Sequence, residues 1–390
     1  MIYLDHNAST PVMPEVLEAM RACLDDLHAN PSSLHREGQR ARAALEQARE
    51  QVATLVNAHP DEVVFVSGGT EGDHLALLGA AWARAEEGRR VAISAIEHHA
   101  VHGAAEVLRE QGFEVDHLPV GVEGRVDPRA VALRPGTTVV ALMLANNETG
   151  VLQPVDAVAT LAHAAGARLA CDAVQAAGKV PVDFAKLGAD YLVISGHKIG
   201  GPKGAGALVL RRGAPLSPLF RGSGHERGRR GGTENLPGIV GLGAAAAAAA
   251  RELDTEPARL AALRDRLESG IRAVAPEAVV HGDGAPRLPN TVNVSFPGAR
   301  SDHLLMALDR AGIAVSAGAA CASGAVEPSP VLTAMGVPRE LAVCAVRFSL
   351  GRTSTAGEVE AVVDALRAAV PRARLAGSGT AGSVRSGSRS

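Results

Sequence analysis

Three side chains in this sequence have the types and positions that heterocycle chemistry needs. Lys198 follows His197 just beyond the apolar run DYLVIS, residues 190–195. A lysine held in a dry pocket has a lowered pKa, and its amine can attack or form a Schiff base. The plainer reading is a solvated lysine at a strand end. Asp172 lies within the apolar run ARLACDAV, residues 167–174, with Gln175 directly after it. A carboxylate in such a run needs a partner to offset its desolvation. A cationic heterocycle would serve, and a helix N-cap is the competing reading. After VVFV comes SGGTEGDHLAL, residues 67–77, where Gly69 and Thr70 open a helical stretch. A glycine turn of this kind can hold a phosphate on backbone N–H groups at a helix N-terminus. Taken alone it is better read as a simple βα turn, since neither GK[ST] nor GxGxxG is present.

Together the three ask for one cofactor. Pyridoxal 5′-phosphate needs a Schiff-base lysine, an acid opposite its pyridinium nitrogen and a phosphate cup. The chain order Thr70, Asp172, Lys198 supplies them at strand ends, where open parallel sheets bind ligands. A fourth residue adds a nucleophile. Cys321 stands in VSAGAACASG, residues 315–324, among neighbours with almost no side chain. Glycine hinges and small side chains suit a loop that carries a thiol to where it reacts.

The elements that must position these groups follow from the apolar pattern. Short β-branched runs at 62–67, 91–94, 137–145, 167–174 and 190–195 alternate with Ala- and Leu-rich amphipathic stretches. Continuous apolar strands between helices predict a mostly parallel sheet covered on both faces, an α/β fold. After about Arg251 the pattern changes to α+β. We expect a large domain over 13–250, and a smaller one formed by 1–12 and 251–372 that carries the Cys321 loop. A Gly/Ser-rich tail over 373–390 is expected to be disordered.

Bulk properties narrow the function. The net charge is −3, with arginines scattered among acids, so nucleic acid is not an expected partner. No apolar run reaches membrane-spanning length, and MIYLDHNASTP lacks the basic and apolar regions of a signal peptide. The four cysteines show no CxxC spacing, so neither a disulfide framework nor a metal site is expected. A reducing cytoplasm fits this usage.

From the N-terminus to about residue 370 the chain resembles the cysteine desulfurases of the NifS and IscS type, within the class V aminotransferases (PLP-dependent transferase fold type I). The motifs that carry the resemblance include YLDHNASTP, SGGTEGDHLAL, EHHAV, NNETGVLQP, DAVQAAGK, SGHKIGGPKG, RRGGTENLPGIVGLG, VSAGAACASGAVEPSPVL and VRFSLGR. The resemblance implies that Lys198 is the Schiff-base lysine and that Asp172 pairs with the ring nitrogen. Gln175 would bond the ring's 3-oxygen, and His98 would stack on the ring and shuttle protons. Gly69, Thr70, Ser195 and His197 would hold the phosphate. Thr233 would reach the phosphate of a partner subunit, which implies a homodimer with shared sites. Asn147, beside the cofactor, and Arg347 would hold the substrate α-carboxylate, for which a guanidinium's planar fork is suited. Cys321 would take sulfur from L-cysteine as a persulfide, releasing L-alanine, and pass it to a sulfur-acceptor protein, as in iron–sulfur cluster assembly.

Other residues have plainer readings. Cys23, Cys171 and Cys344 read as packed hydrophobes, Trp82 as core, the run of alanines at 244–250 as helix packing, and His99 and His102 as surface or supporting residues. Gly72, His74, Ala319 and Pro330 depart from the common family pattern. Selenocysteine lyase and a class V aminotransferase with an incidental Cys321 are the near alternatives. A non-catalytic scaffold that kept the fold is a more distant one.

Overall fold

The computed structural model describes residues 1–317 and 327–380. The chain opens with a two-residue strand, β1 (Ile2–Tyr3). Helices Pro14–Asp26 and Arg36–Leu55 follow, and then the main sheet begins. Its strands are β2 (Val63–Val66), β3 (Arg90–Ser94), β4 (Glu114–Leu118), β5 (Thr137–Ala141), β6 (Arg168–Asp172), β7 (Tyr191–Ser195) and β8 (Gly206–Leu210). Their spatial order is β2-β8-β7-β6-β5-β3-β4. Four neighbouring pairs are parallel, and β8 runs antiparallel to both β2 and β7.

Side chains along these strands alternate between two apolar layers, as the period-2 geometry of a strand requires. Leu169, Cys171, Leu192, Ile194 and Val209 face the layer shared with helices Arg36–Leu55, Val155–Ala164 and Leu236–Glu252. Ala170, Tyr191, Val193 and Leu208 face the opposite layer, under helix His99–Glu110 and the helical run that starts at Gly69. Both faces are therefore dry, and this is why the strands read as unbroken apolar runs. The alanine run performs the expected packing: Ala245, Ala246, Ala248 and Ala249 are buried. A Cβ at Gly243 would come within 2.7 Å of Ala48 Cα, so small residues set how closely this helix meets Arg36–Leu55.

A second apolar core lies in the C-terminal part. Strands β9 (Val279–Val280), β10 (Thr291–Ser295) and β12 (Ala345–Ser349) form an antiparallel sheet in the order β12-β10-β9. Strand β11 (Ile313–Ala314) pairs with β1 instead. Leu4, Leu267, Ile271, Val294, Phe296, Phe348 and Leu366 fill this core, so the N-terminal segment packs with the C-terminal part. The chain turns from one region to the other at a bend of 76° between helices Leu236–Glu252 and Glu256–Val274.

Three details differ from the sequence reading. The last helix, Ala356–Thr380, runs beyond residue 373, where a tail was expected to begin. Ala373 is buried and Arg374 Nε donates to Pro297 O at 3.0 Å, so packing overrides the local composition. Trp82 is half-buried rather than core, with its indole N–H donating to Gln111 Oε1 at 2.7 Å. Strands β4 and β8 also went unread: β4 is a half-exposed edge strand with mixed polarity, and β8 follows a glycine-rich loop.

Candidate active site

The carboxyl ends of the parallel strands converge on a cavity of about 390 Å³. Asp172 is the last residue of β6, and Ser195 the last of β7. A short helical turn over Gly196–Lys198 then swings Lys198 into the cavity wall. Thr70 stands at the start of the helix after β2, and His98 caps the helix after β3. Gly69, Asn147, Gln175, His197 and Arg347 line the same space. The structure thus gathers ten of the site residues expected from sequence. Thr233 is exposed and lies elsewhere, in a hollow with Ser67 and Arg230. Cys321 lies outside the described residues.

The N-terminal segment braces the nucleophile. Lys198 Nζ donates to the carbonyls of Asn7 at 2.6 Å and Ala8 at 2.9 Å. Burial, together with the nearby Arg347 cation, lowers its pKa to about 8, while Asp172 and Asp5 hold it partly up. Its amine is therefore available as a base or nucleophile near neutrality.

Asp172 sits with two other buried acids, Asp73 and Glu97. Burial raises the Asp172 carboxyl to about 6, while the Val174 N–H, at 2.8 Å from Oδ1, and the Lys198 charge favour its ionised form. Asp73 is pushed well up by burial and by the charges of Asp172 and Glu97. Like charges in one dry site cannot all persist. Asp73 therefore keeps its proton, and Asp172 keeps the charge. Burial also raises Glu97 to about 8, although its Oε1 accepts from Ser94 Oγ at 2.5 Å and from Met143 N at 2.8 Å. Asp73 and Glu97 went unnoticed in sequence because each lies in a helical or turn motif that looks ordinary.

His98 and His197 both favour the neutral imidazole. Burial and the Lys198 charge lower both His98 and His197 to about 4. His98 Nδ1 accepts from Ala100 N at 3.2 Å, so its ring proton belongs on Nε2. His197 Nδ1 lies 3.3 Å from Ser9 Oγ.

Arg347, on β12, closes the far side. Its Nη2 pairs with Asp5 Oδ1 at 2.7 Å and its Nη1 donates to Asn147 O at 3.0 Å. Among the described residues its buried Nε has no partner, and neither does the buried Ser195 Oγ. One donor at the carboxylate end and one hydroxyl at the phosphate end are thus left for a ligand, because buried polar groups need partners. The turn before Thr70 is also close to bare backbone: a Cβ at Gly206 would meet Gly68 Cα at 2.8 Å. Lysine, ionised acid, unpartnered hydroxyl and glycine turn fit a phosphorylated pyridine aldehyde.

Comparison with known proteins agrees with this geometry. The Aminotransferase class-V family model matches residues 2–362. The chain belongs to the class V aminotransferase family. It is 48% identical over 377 residues to a cysteine desulfurase of Cereibacter sphaeroides, covering 96% of each chain. A solved NifS-like protein superposes with a TM-score of 0.88 at 36% identity, covering 94% of this chain and 98% of that one. The structure of SspA in complex with cysteine has a TM-score of 0.80 at 35% identity, covering 90% and 99%. Within the family the chain groups with the cysteine desulfurases of the NifS and IscS type, and its cofactor is pyridoxal 5′-phosphate.

The departures from the family pattern have local explanations. A Cβ at Gly72 would come within 2.5 Å of Val193 Cγ1, so the glycine accommodates that β7 side chain. His74 does not line the cavity, and its Nδ1 bonds Thr70 O at 2.9 Å within the helix. Pro330 occupies the first turn of helix Pro330–Ala334, where a missing N–H is harmless. Ala319 lies outside the described residues. Cys23, Cys171 and Cys344 are free thiols and buried, as packed hydrophobes should be.

Proposed function

We propose that this protein is a cysteine desulfurase that converts L-cysteine to L-alanine and holds the sulfur as a persulfide on Cys321. The observation that carries the reading is the placement of Lys198 and Asp172 on the wall of one cavity, with Arg347 Nε left for a carboxylate.

Bound pyridoxal 5′-phosphate supplies an electron sink for charge developing at the substrate Cα. Asp172, kept ionised, would hold positive charge on the ring nitrogen. Gly69, Thr70, Ser195 and His197 would hold the phosphate, and Gln175 would donate to the ring's 3-oxygen. Arg347 and Asn147 orient the substrate carboxylate, so that the Cα–H bond faces the Lys198 amine. Lys198 then moves the proton at Cα. His98, with its proton on Nε2, can donate toward the ring face. The Cys321 thiolate attacks the substrate Sγ, and the S–S bond forms as the Sγ–Cβ bond breaks. The electron pair left on Cβ would be taken up by the bound electron sink. Proton uptake at Cβ and Cα would complete L-alanine, and the persulfide stays on Cys321. A protein acceptor then removes the outer sulfur.

The reading includes a homodimer with shared sites, because Thr233 is exposed away from its own chain's cavity and is free to reach a partner's phosphate. It also includes a large domain of 13–250 and a small one of 1–12 with 251–372, supported by the separate apolar cores. A cytoplasmic setting agrees with the three free, buried thiols.

The test measures sulfide and L-alanine together after incubation with L-cysteine and a thiol reductant, with Cys321→Ala run in parallel. Equal amounts from the native protein and none from the variant are expected. A yellow protein that makes no L-alanine would sink the reading, and selenocysteine and amino-donor/keto-acid pairs would then be tried.

A further inference from the structure

The motif DAVQAAGK carries a lysine that the reaction above does not use. Lys179 is almost fully buried behind the cavity wall and does not line the cavity itself. Its Nζ donates to Gln175 Oε1 at 2.7 Å and to Asn7 Oδ1 at 3.2 Å. Gln175 Nε2 in turn donates to Asn7 O at 2.9 Å. Asn7 is itself fixed, since Asn290 Nδ2 donates to its Oδ1 at 3.1 Å and its Nδ2 donates to Thr291 Oγ1 at 2.9 Å.

A side-chain amide can sit in either of two orientations unless its partners differ in kind. A charged lysine can only donate, whereas a neutral amine has two N–H donors and one lone pair that can accept. The two acceptors found at Lys179 match those two N–H bonds. The charged groups acting on Lys179 are Lys198 and Arg347, both cations, and with burial they push its pKa well down. His6, whose Nδ1 bonds Thr10 Oγ1 at 2.7 Å, is lowered to about 4 chiefly by burial, and any charge on Lys179 would lower it further. A buried amine with no acid to balance it serves poorly as an ion pair and well as a fixed donor.

We propose that Lys179 is a positioning residue that locks the Gln175 amide with its oxygen turned away from the cavity and its NH₂ toward the cofactor's 3-oxygen. The proposal rests on the cofactor assignment made above. The locked amide offers only donors where that oxygen carries negative charge. Charge on the oxygen is greatest once the Lys198–cofactor linkage has lost its proton, so a donor there lowers the pH of that loss.

The experiment is a pH titration of the visible absorption band of the holoenzyme in Lys179→Met, Gln175→Ala and the double variant. Lys179→Met is expected to raise the midpoint by about one unit. Gln175→Ala should raise it similarly, and the double variant should go no further than Gln175→Ala. An unmoved midpoint in Lys179→Met, or shifts that simply add, would overturn the proposal. If the Met variant does not fold, Lys179→Gln replaces it. Its own amide can pair with Gln175 in either orientation, which keeps the contact and loses the lock. Its midpoint must also rise, and an unchanged one overturns the proposal. The spectrum reports on the bound cofactor whether or not sulfur is released, so loss of desulfurase activity and failure of the lock are read separately.

Discussion

Arg347 and Asp5 form an ion pair at 2.7 Å although 342 positions separate them in the chain. The Arg347 side chain is 5% exposed, so Asp5 is the carboxylate that compensates its buried charge. Asp5→Asn keeps the shape and removes the charge. The guanidinium is then less well oriented for a substrate carboxylate. We expect KM for L-cysteine to rise about tenfold, equivalent to about 1.4 kcal/mol, with kcat nearly unchanged. Steady-state kinetics over a range of L-cysteine concentrations checks this. A fall in kcat alone would assign Asp5 a different role.

Asp172→Asn separates cofactor binding from cofactor activation. The amide can still accept from Val174 N, and the phosphate-end groups are untouched. The charge opposite the ring nitrogen is lost. The yellow colour should remain, while L-alanine formation falls by about 10²–10³-fold, the scale of a lost electrostatic contact at a reacting centre. An active variant would mean that the ring nitrogen needs no anion here.

Glu97 makes a prediction about stability. Burial holds its carboxyl up at about 8, well above its unfolded value. Between those two pH values the unfolded chain has released a proton that the folded protein still binds, so this group lowers stability as pH rises. Glu97→Gln keeps an acceptor for Ser94 and Met143 and cannot ionise. Between about pH 5 and pH 8 the variant should gain on the native protein, by a few kcal/mol at most. Denaturant melts at the two pH values measure the difference. Parallel pH dependence in both proteins would show that Glu97 is already ionised in the folded state.

Much of the site could be read from the chain because each strand end presents its polar residue just after an apolar run. Lys198, Asp172 and Thr70 were found in this way. Asp5, Asn7 and Lys179 give no such signal, although they stand in the motifs YLDHNASTP and DAVQAAGK. Their roles come from long-range contacts: Asn7 meets Lys198, Lys179 and Asn290 only after the N-terminal segment crosses to the C-terminal part. A sequence pattern shows which face a residue takes, and it carries no signal for which distant carbonyl holds an amine. The end of the last helix was misjudged for a similar reason. Local composition favoured a tail, and the contacts of Ala373 and Arg374 extended the helix.

Gly72 and Val193 give the last prediction. A side chain at position 72 would enter the space of a Val193 that is 1% exposed, with Cβ only 2.5 Å from Cγ1. Gly72→Ser therefore overpacks the layer between β7 and the helix that carries Thr70, at a cost of about 1–3 kcal/mol. The strain would also push Thr70 out of place, so cofactor affinity should weaken together with thermal stability. Val193→Ala removes both methyl groups in the way. In that background Gly72→Ser should be nearly neutral, giving a coupling energy of about 1 kcal/mol or more. Thermal melts and cofactor titrations of the four proteins complete the cycle. If Gly72→Ser is equally harmful with and without the Val193 methyl groups, this contact does not explain the glycine at position 72.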